Sequence, residues 1–92
     1  MKLVVHDYRH RKYLRKILPK LVELLLNAGL EPVPVDGTRI VLASNTLEAK
    51  VEVKLDAVEY YSITVEITPI TRDNNAEAIK LAEKVEEIVY EE

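Results

Sequence analysis

Two consecutive segments in the middle of this 92-residue chain alternate strictly between apolar and polar residues. In Leu47–Leu55 every second residue is apolar and those between are Glu or Lys, and Tyr60–Thr68 repeats this period of two. Because successive side chains of a strand point to opposite faces, this alternation predicts strands with one buried and one wet face. We therefore expect an antiparallel hairpin turning at residues 56–59. Its buried side should include Val51, Val53, Ile63 and Val65.

A longer apolar period before the hairpin predicts a helix over Tyr8–Ala28. Asp7 is placed to cap its start, and Gly29 is placed to end it in a left-handed conformation. Pro19 interrupts the pattern and predicts either a kink or two shorter helices. The predicted core face comprises Leu14, Ile17, Leu18, Leu21, Leu24, Leu25 and Ala28.

A second helix is predicted after the hairpin, over residues 75–90. Asn74 and Glu77 have the spacing of a capping box at its start. Its predicted core face comprises Ala78, Leu81, Ala82, Val85, Ile88 and Val89.

Shorter segments complete the predicted order. Leu3–His6 is prone to form a short strand, residues 31–35 read as an extended connector, Asp36 and Gly37 as a turn, and Thr38–Ser44 as a strand. The chain is thus predicted to be one α+β domain, residues 1–92, with two helices on one face of a three- or four-stranded antiparallel sheet in the order (β)-α-β-β-β-α.

The strand Thr38–Ser44 would make a poor exposed edge, because Ile40, Val41 and Leu42 are apolar on both of its faces. We expect either that Leu3–His6 covers it or that two copies of the chain pair across it. The latter would make the protein a homodimer.

Composition argues against catalysis and against cofactors. The chain has no cysteine and two glycines, which excludes thiol chemistry, cysteine-bound metals and a glycine-rich phosphate loop. Ser44 and Ser62 lack the local context of a nucleophile. His6 and His10 are too few for a metal site, so we expect no enzyme, no metal and no cofactor.

Other compositional features point to the cell interior. No apolar run is long enough to span a membrane or to form a signal peptide, so a soluble, cytoplasmic domain without a membrane partner is expected. Glutamine is absent while Glu, Lys and Arg are plentiful, a composition that favours a thermophilic source.

Charge is distributed unevenly along the chain. Residues 1–20 carry seven basic side chains and one acid, whereas the whole chain has a net charge of −3. We expect the exposed face of the first helix to contact an RNA or DNA backbone, since clustered cations neutralise phosphates. The candidate nucleic-acid-binding residues are Arg9, Arg11, Lys12, Arg15, Lys16 and Lys20.

Two alternatives compete with nucleic-acid binding. In the first, the cations only form the solvated face of an amphipathic helix or pair within the chain with acids of the second helix, such as Glu83, Glu86 and Glu87. In the second, the same two helices meet between copies in a protein-interaction module. The polar face of the sheet, with Tyr60 among Glu, Lys, Ser and Thr, is expected to be simply solvated.

The order α-β-β-β-α resembles that of the double-stranded-RNA-binding domain. The resemblance implies phosphate contacts from a lysine-rich run at the start of the second helix. The matching positions here run from Arg72 to Glu77 and contain one basic residue. Because unrelated small domains share the same element order, we assign no family on this basis.

Overall fold

The computed structural model describes residues 1–35 and 39–91. Within them lie two helices and a five-stranded antiparallel sheet, which confirms the predicted α+β class but makes the expected strand number of three or four wrong. The elements are β1 (Leu3–His10), α1 (Arg11–Asn27), β2 (Glu31–Val33), β3 (Arg39–Ala43), β4 (Leu47–Ala57), β5 (Tyr60–Pro69), a 3₁₀ turn (Arg72–Asn74) and α2 (Asn75–Val89). The strand order in the sheet is β1-β5-β4-β3-β2.

The β4–β5 hairpin has the predicted register. Val51 lies opposite Val65 and Val53 opposite Ile63, and the pairing closes at Ala57 and Tyr60 after an irregularity at Asp56. Val51, Ile63 and Val65 are buried, whereas Val53, which lies nearer the exposed turn of the hairpin, is half-buried.

The first strand is twice as long as expected, and the first helix starts later. β1 runs to His10 and pairs with β5 along its whole length, so α1 begins at Arg11 rather than at Tyr8. Asp7 is therefore not the helix cap. His10 takes that position, and its ring nitrogen Nδ1 accepts a hydrogen bond from the backbone N–H of Lys12 at 3.1 Å. Eight backbone pairings with β5 outweigh the helical period of Tyr8–His10.

The edge of β3 is covered, but not by the strand we expected. β2, which is part of the predicted connector, pairs with Val41–Ala43, while β1 joins the opposite side of the sheet. Pro32 fits there because β2 is an edge strand, where proline is tolerated. The predicted turn at Asp36 and Gly37, and the start of the strand at Thr38, lie outside the described residues.

Both helices pack on one face of the sheet through the predicted apolar stripes. Four residues of these stripes are not fully buried: Ala28 is exposed, and Leu18, Leu24 and Ile88 are half-buried. The other side chains form a single core with the inward residues of β1, β3, β4 and β5.

Of the two predicted helix ends, the one at Gly29 is confirmed and the one at Asn74 is not. Gly29 has a positive φ of 92°, and Leu30 donates its backbone N–H to the carbonyl of Leu25 at 3.1 Å, as predicted for this helix end. The capping box of α2 is wrong, because Asn74 makes no side-chain cap and its amide donates to Thr71 instead.

Candidate nucleic-acid interface

Lys12, Arg15 and Lys16 form an exposed basic triplet on the first half of α1. Their spacing of three and four residues puts them side by side on the helix surface. Within the described residues none of the three has an acidic group within 4.0 Å, and the first turn of α1 carries no acid. We call these three residues the basic triplet. Like charges so placed repel one another, and Lys12, in the first turn of α1, is also repelled by the positive end of the helix dipole.

Arg11 and Lys20 flank the triplet and are each matched by one acid. The guanidinium of Arg11 lies 3.5 Å from the carboxylate of Glu59, at the tip of the β4–β5 hairpin. The ammonium of Lys20 lies 2.7 Å from the carboxylate of Glu91, just after α2. Both contacts are exposed and screened by solvent, so neither removes its cation from reach of a ligand.

Arg9 lies apart from the other candidates because it belongs to β1 and not to α1. Its position opposite Tyr61 turns the side chain to the helix-covered face, where it is 15% exposed. The guanidinium lies 5.0 Å from the centre of the Tyr13 ring and 3.9 Å from Asp7, and it donates to the carbonyl of Glu91. These contacts make Arg9 a packing residue between β1, α1 and the end of the chain.

The acids of α2 do not pair with the basic residues of α1 as one alternative required. Glu83, Glu86 and Glu87 are exposed, and no basic side chain of the described part of the chain approaches them within 4.0 Å. Their own spacing of three and four residues makes them an acidic triplet on the second helix.

The longer β1 brings three ring side chains onto one surface that the sequence pattern did not predict. His6, Tyr8 and His10 project from the sheet face opposite the helices, next to Tyr60 of β5. The sequence does contain a period of two here, because Val4, His6, Tyr8 and His10 occupy every second position. It was obscured because the inward positions of the same strand include the polar pair Asp7 and Arg9.

An open apolar groove follows the solvent side of α1 around and beyond Pro19. It is lined mainly by Leu18, Pro19, Val22 and Leu26. Pro19 and Leu26 are exposed and the other two are half-buried, which leaves apolar area on the second half of the helix, next to the basic first half.

Metal chemistry has little basis in this geometry. His6 and His10 lie four positions apart on one strand, which separates them by about 13 Å and prevents them from sharing an ion. Among residues 1–35 and 39–91, no three His, Asp or Glu side chains are grouped to hold a metal. No helix in the same ranges is long and apolar enough to cross a membrane.

Comparison with known proteins gives a structural likeness but no family. No family model matches the chain, and no curated protein matches it. The fold is similar to the crystal structure of TTHA0849 from Thermus thermophilus, at 13% sequence identity and a TM-score of 0.41, over 97% of this chain and 89% of that one. A likeness at this level carries no argument about function.

Proposed function

We propose that this domain is a non-enzymatic binding module that contacts the phosphate backbone of RNA or DNA through Lys12, Arg15 and Lys16. The observation that carries the proposal is the basic triplet itself: three exposed cations on one helix face, with no acidic partner in the described residues. Arg11 and Lys20 extend the same surface in both directions along the helix.

The electrostatics of α1 favour an anionic ligand. Lys12 lies in the first turn of α1, where the helix dipole disfavours an exposed cation by a few tenths of a kcal/mol to about 1 kcal/mol. A bound phosphate offsets both the unfavourable interaction with the dipole and the mutual repulsion of the triplet. Relief of these two unfavourable energies therefore contributes to the binding free energy. The net charge of −3 opposes long-range attraction, so binding depends on the local patch and weakens quickly as salt rises.

Charge reversal tests the proposal. Lys12→Glu with Lys16→Glu should abolish binding to a fluorescent 20-nucleotide RNA, DNA or duplex at low salt, without unfolding, since neither residue lies in the core. Wild-type affinity should fall steeply with salt. Each single variant that removes one phosphate-binding cation should reduce the log–log salt slope by about 0.7 to 0.9.

The chain offers a matched control on the other helix. Lys80→Glu with Lys84→Glu changes the net charge equally at exposed positions of α2. This control should retain most of the binding. Equal losses in the two double variants, or no wild-type binding to any probe at low salt, would reject the proposal.

Association between copies is a second candidate, favoured by the acidic triplet Glu83, Glu86 and Glu87. Basic and acidic triplets with the same spacing can meet between copies, either reciprocally in a two-fold dimer or head to tail in a ring or open chain. Light scattering should then show a mass that rises with concentration and falls with salt.

Swapped charges make that test specific. Lys12→Glu with Lys16→Glu, and separately Glu83→Lys with Glu87→Lys, should each abolish self-association. Mixing the two variants should restore association, because both helices of the first variant are then acidic and both helices of the second are basic. The assemblies formed should contain both variants. A monomeric wild type at low salt would exclude this candidate.

A further inference from the structure

Four rings gather on the open face of the sheet, where β1 pairs with β5. Tyr8 lies opposite Ser62 and His10 opposite Tyr60, with His6 opposite Thr64. All of these side chains point away from the two helices, on the face where β4 carries Glu and Lys. We call His6, Tyr8, His10 and Tyr60 the ring platform.

The rings of the platform are held by contacts within the sheet. His6 and Tyr8 meet edge to face, with ring centres 5.0 Å apart and planes at 88°. His10 and Tyr60 do the same at 5.2 Å and 89°. Nδ1 of His6 also lies 2.8 Å from the hydroxyl oxygen of Thr64. Because each tyrosine is positioned by a neighbouring imidazole, little side-chain entropy is left to lose when a ligand binds.

The two tyrosines are nonetheless open to solvent. Tyr8 is 55% and Tyr60 is 51% exposed. They are diagonal neighbours on adjacent strands, a relation that puts Cβ atoms about 7–8 Å apart. Exposed rings on neighbouring strands are the arrangement with which a sheet face stacks successive unpaired bases.

The platform ends where the basic helix begins. His10 is the last residue of β1 and Arg11 the first of α1, and both contact the carboxylate of Glu59, at 3.3 Å and 3.5 Å. Lys12 follows in the first turn. A nucleic-acid strand that lies across the rings would therefore reach the cations of α1 at the same corner of the molecule. Two acids along this route are paired, Glu59 as above and Glu66 with Lys2 at 3.7 Å.

We infer that the ring platform stacks unpaired bases, so that the ligand is single-stranded nucleic acid with its phosphates led onto the start of α1. The inference rests on the proposed function for the phosphate contacts and adds the class of ligand. Phosphate contacts alone do not distinguish single-stranded from double-stranded nucleic acid. A protein ring, by contrast, can stack only on a base whose face is free.

Paired variants of the two tyrosines test the inference. Tyr8→Leu with Tyr60→Leu removes both rings and keeps apolar bulk on the strands. Tyr8→Phe with Tyr60→Phe keeps the rings and removes the hydroxyls. The probes are 12-nucleotide oligo(U) and oligo(dT) and a 12-base-pair duplex, and urea unfolding checks that both variants remain folded.

We expect the leucine pair to weaken single-strand binding by about 30-fold or more, the phenylalanine pair by less than about 3-fold, and neither to alter duplex binding. The salt slope should stay unchanged in both, because the phosphate contacts remain. The chain has five Tyr and no Trp, so oligo(U) should also quench its tyrosine fluorescence, and less so in the leucine pair.

The outcomes separate the two proposals. If the wild type binds single strands and duplex with equal affinity and the leucine pair has no effect, the stacking inference is rejected. The proposal that the basic triplet binds phosphate is then still supported. Single-strand binding that needs the tyrosines but survives Lys12→Glu with Lys16→Glu overturns the triplet instead. Loss of binding in the phenylalanine pair as well would show that hydroxyl contacts, not stacking, hold the ligand, and would reject the inference.

Discussion

Glu59 concentrates several roles in one residue at the tip of the β4–β5 hairpin. Its φ of 63° is in the left-handed region, which costs a non-glycine residue roughly 1 kcal/mol or more. Its carbonyl accepts the backbone N–H of Arg11 at 2.8 Å, and its carboxylate contacts His10 and Arg11. One strained residue thus fastens the hairpin to the first turn of α1 and holds the ring platform next to the basic triplet.

Two substitutions at this position should separate backbone strain from charge. Glu59→Gly and Glu59→Ala both lose the carboxylate, but only glycine relieves the positive φ. We expect Glu59→Gly to have a free energy of unfolding about 1 kcal/mol higher than Glu59→Ala, measured by urea denaturation. An alanine variant as stable as the glycine variant would show that the turn adapts without strain.

At the scale of elements, α1 is the least regular in sequence and yet continuous in structure. It runs from Arg11 to Asn27 with Pro19 inside it, so of the two predicted alternatives, a kink or two shorter helices, the second is wrong. Pro19 has no N–H to donate to the carbonyl of Arg15, four residues earlier. Burial of Leu14, Ile17, Leu21 and Leu25 on both sides of the proline supplies the free energy that holds the helix together.

Replacing this proline should therefore stabilise the domain. Pro19 is exposed, so Pro19→Ala restores a backbone donor without opening a cavity. We expect the free energy of unfolding to rise by about 1 to 3 kcal/mol, measured by urea denaturation. Glu23→Ala, at another exposed position of the same helix, serves as the control and should change it by less than about 0.5 kcal/mol. A destabilised Pro19→Ala would mean that the fold depends on a bend at this point.

At the scale of the whole molecule, the sheet is held unequally across its width. β5 is paired on both sides, by β1 and β4, whereas β2 has three residues at the far edge. The opposite edge, β1, is longer, and the hydroxyl of Tyr90 donates to the backbone carbonyl of His6 there at 3.2 Å. The end of α2 thus occupies part of the edge next to the ring platform.

Rates of amide hydrogen exchange should reflect how firmly each strand is paired in the sheet. The slowest amides are expected in β5 and in the part of β4 that faces it, at rates set by global unfolding, and the fastest strand amides in β2. β1 should be intermediate, and Tyr90→Phe should speed exchange in β1 without affecting β2. Protection in β2 equal to that in β5 would contradict the described pairing, or would show that a second copy covers this edge.

Local periodicity was sufficient to predict the hairpin, the apolar faces of both helices and the helix end at Gly29. Each of these depends on residues close in sequence, whose alternation, spacing or backbone freedom already selects the structure. The candidate cations could be named for the same reason, since they recur along one segment.

Long-range pairing decided the rest. Whether Tyr8–His10 continued a strand or began a helix depended on β5, fifty or more residues later in the chain. That choice moved Arg9 into a packed contact and brought His6, Tyr8 and His10 out beside Tyr60. Likewise, β2 became a strand because β3 offered an unpaired edge. Where local preferences are nearly balanced, backbone hydrogen bonds to a distant strand determine the conformation, and they are absent from any pattern within the segment itself.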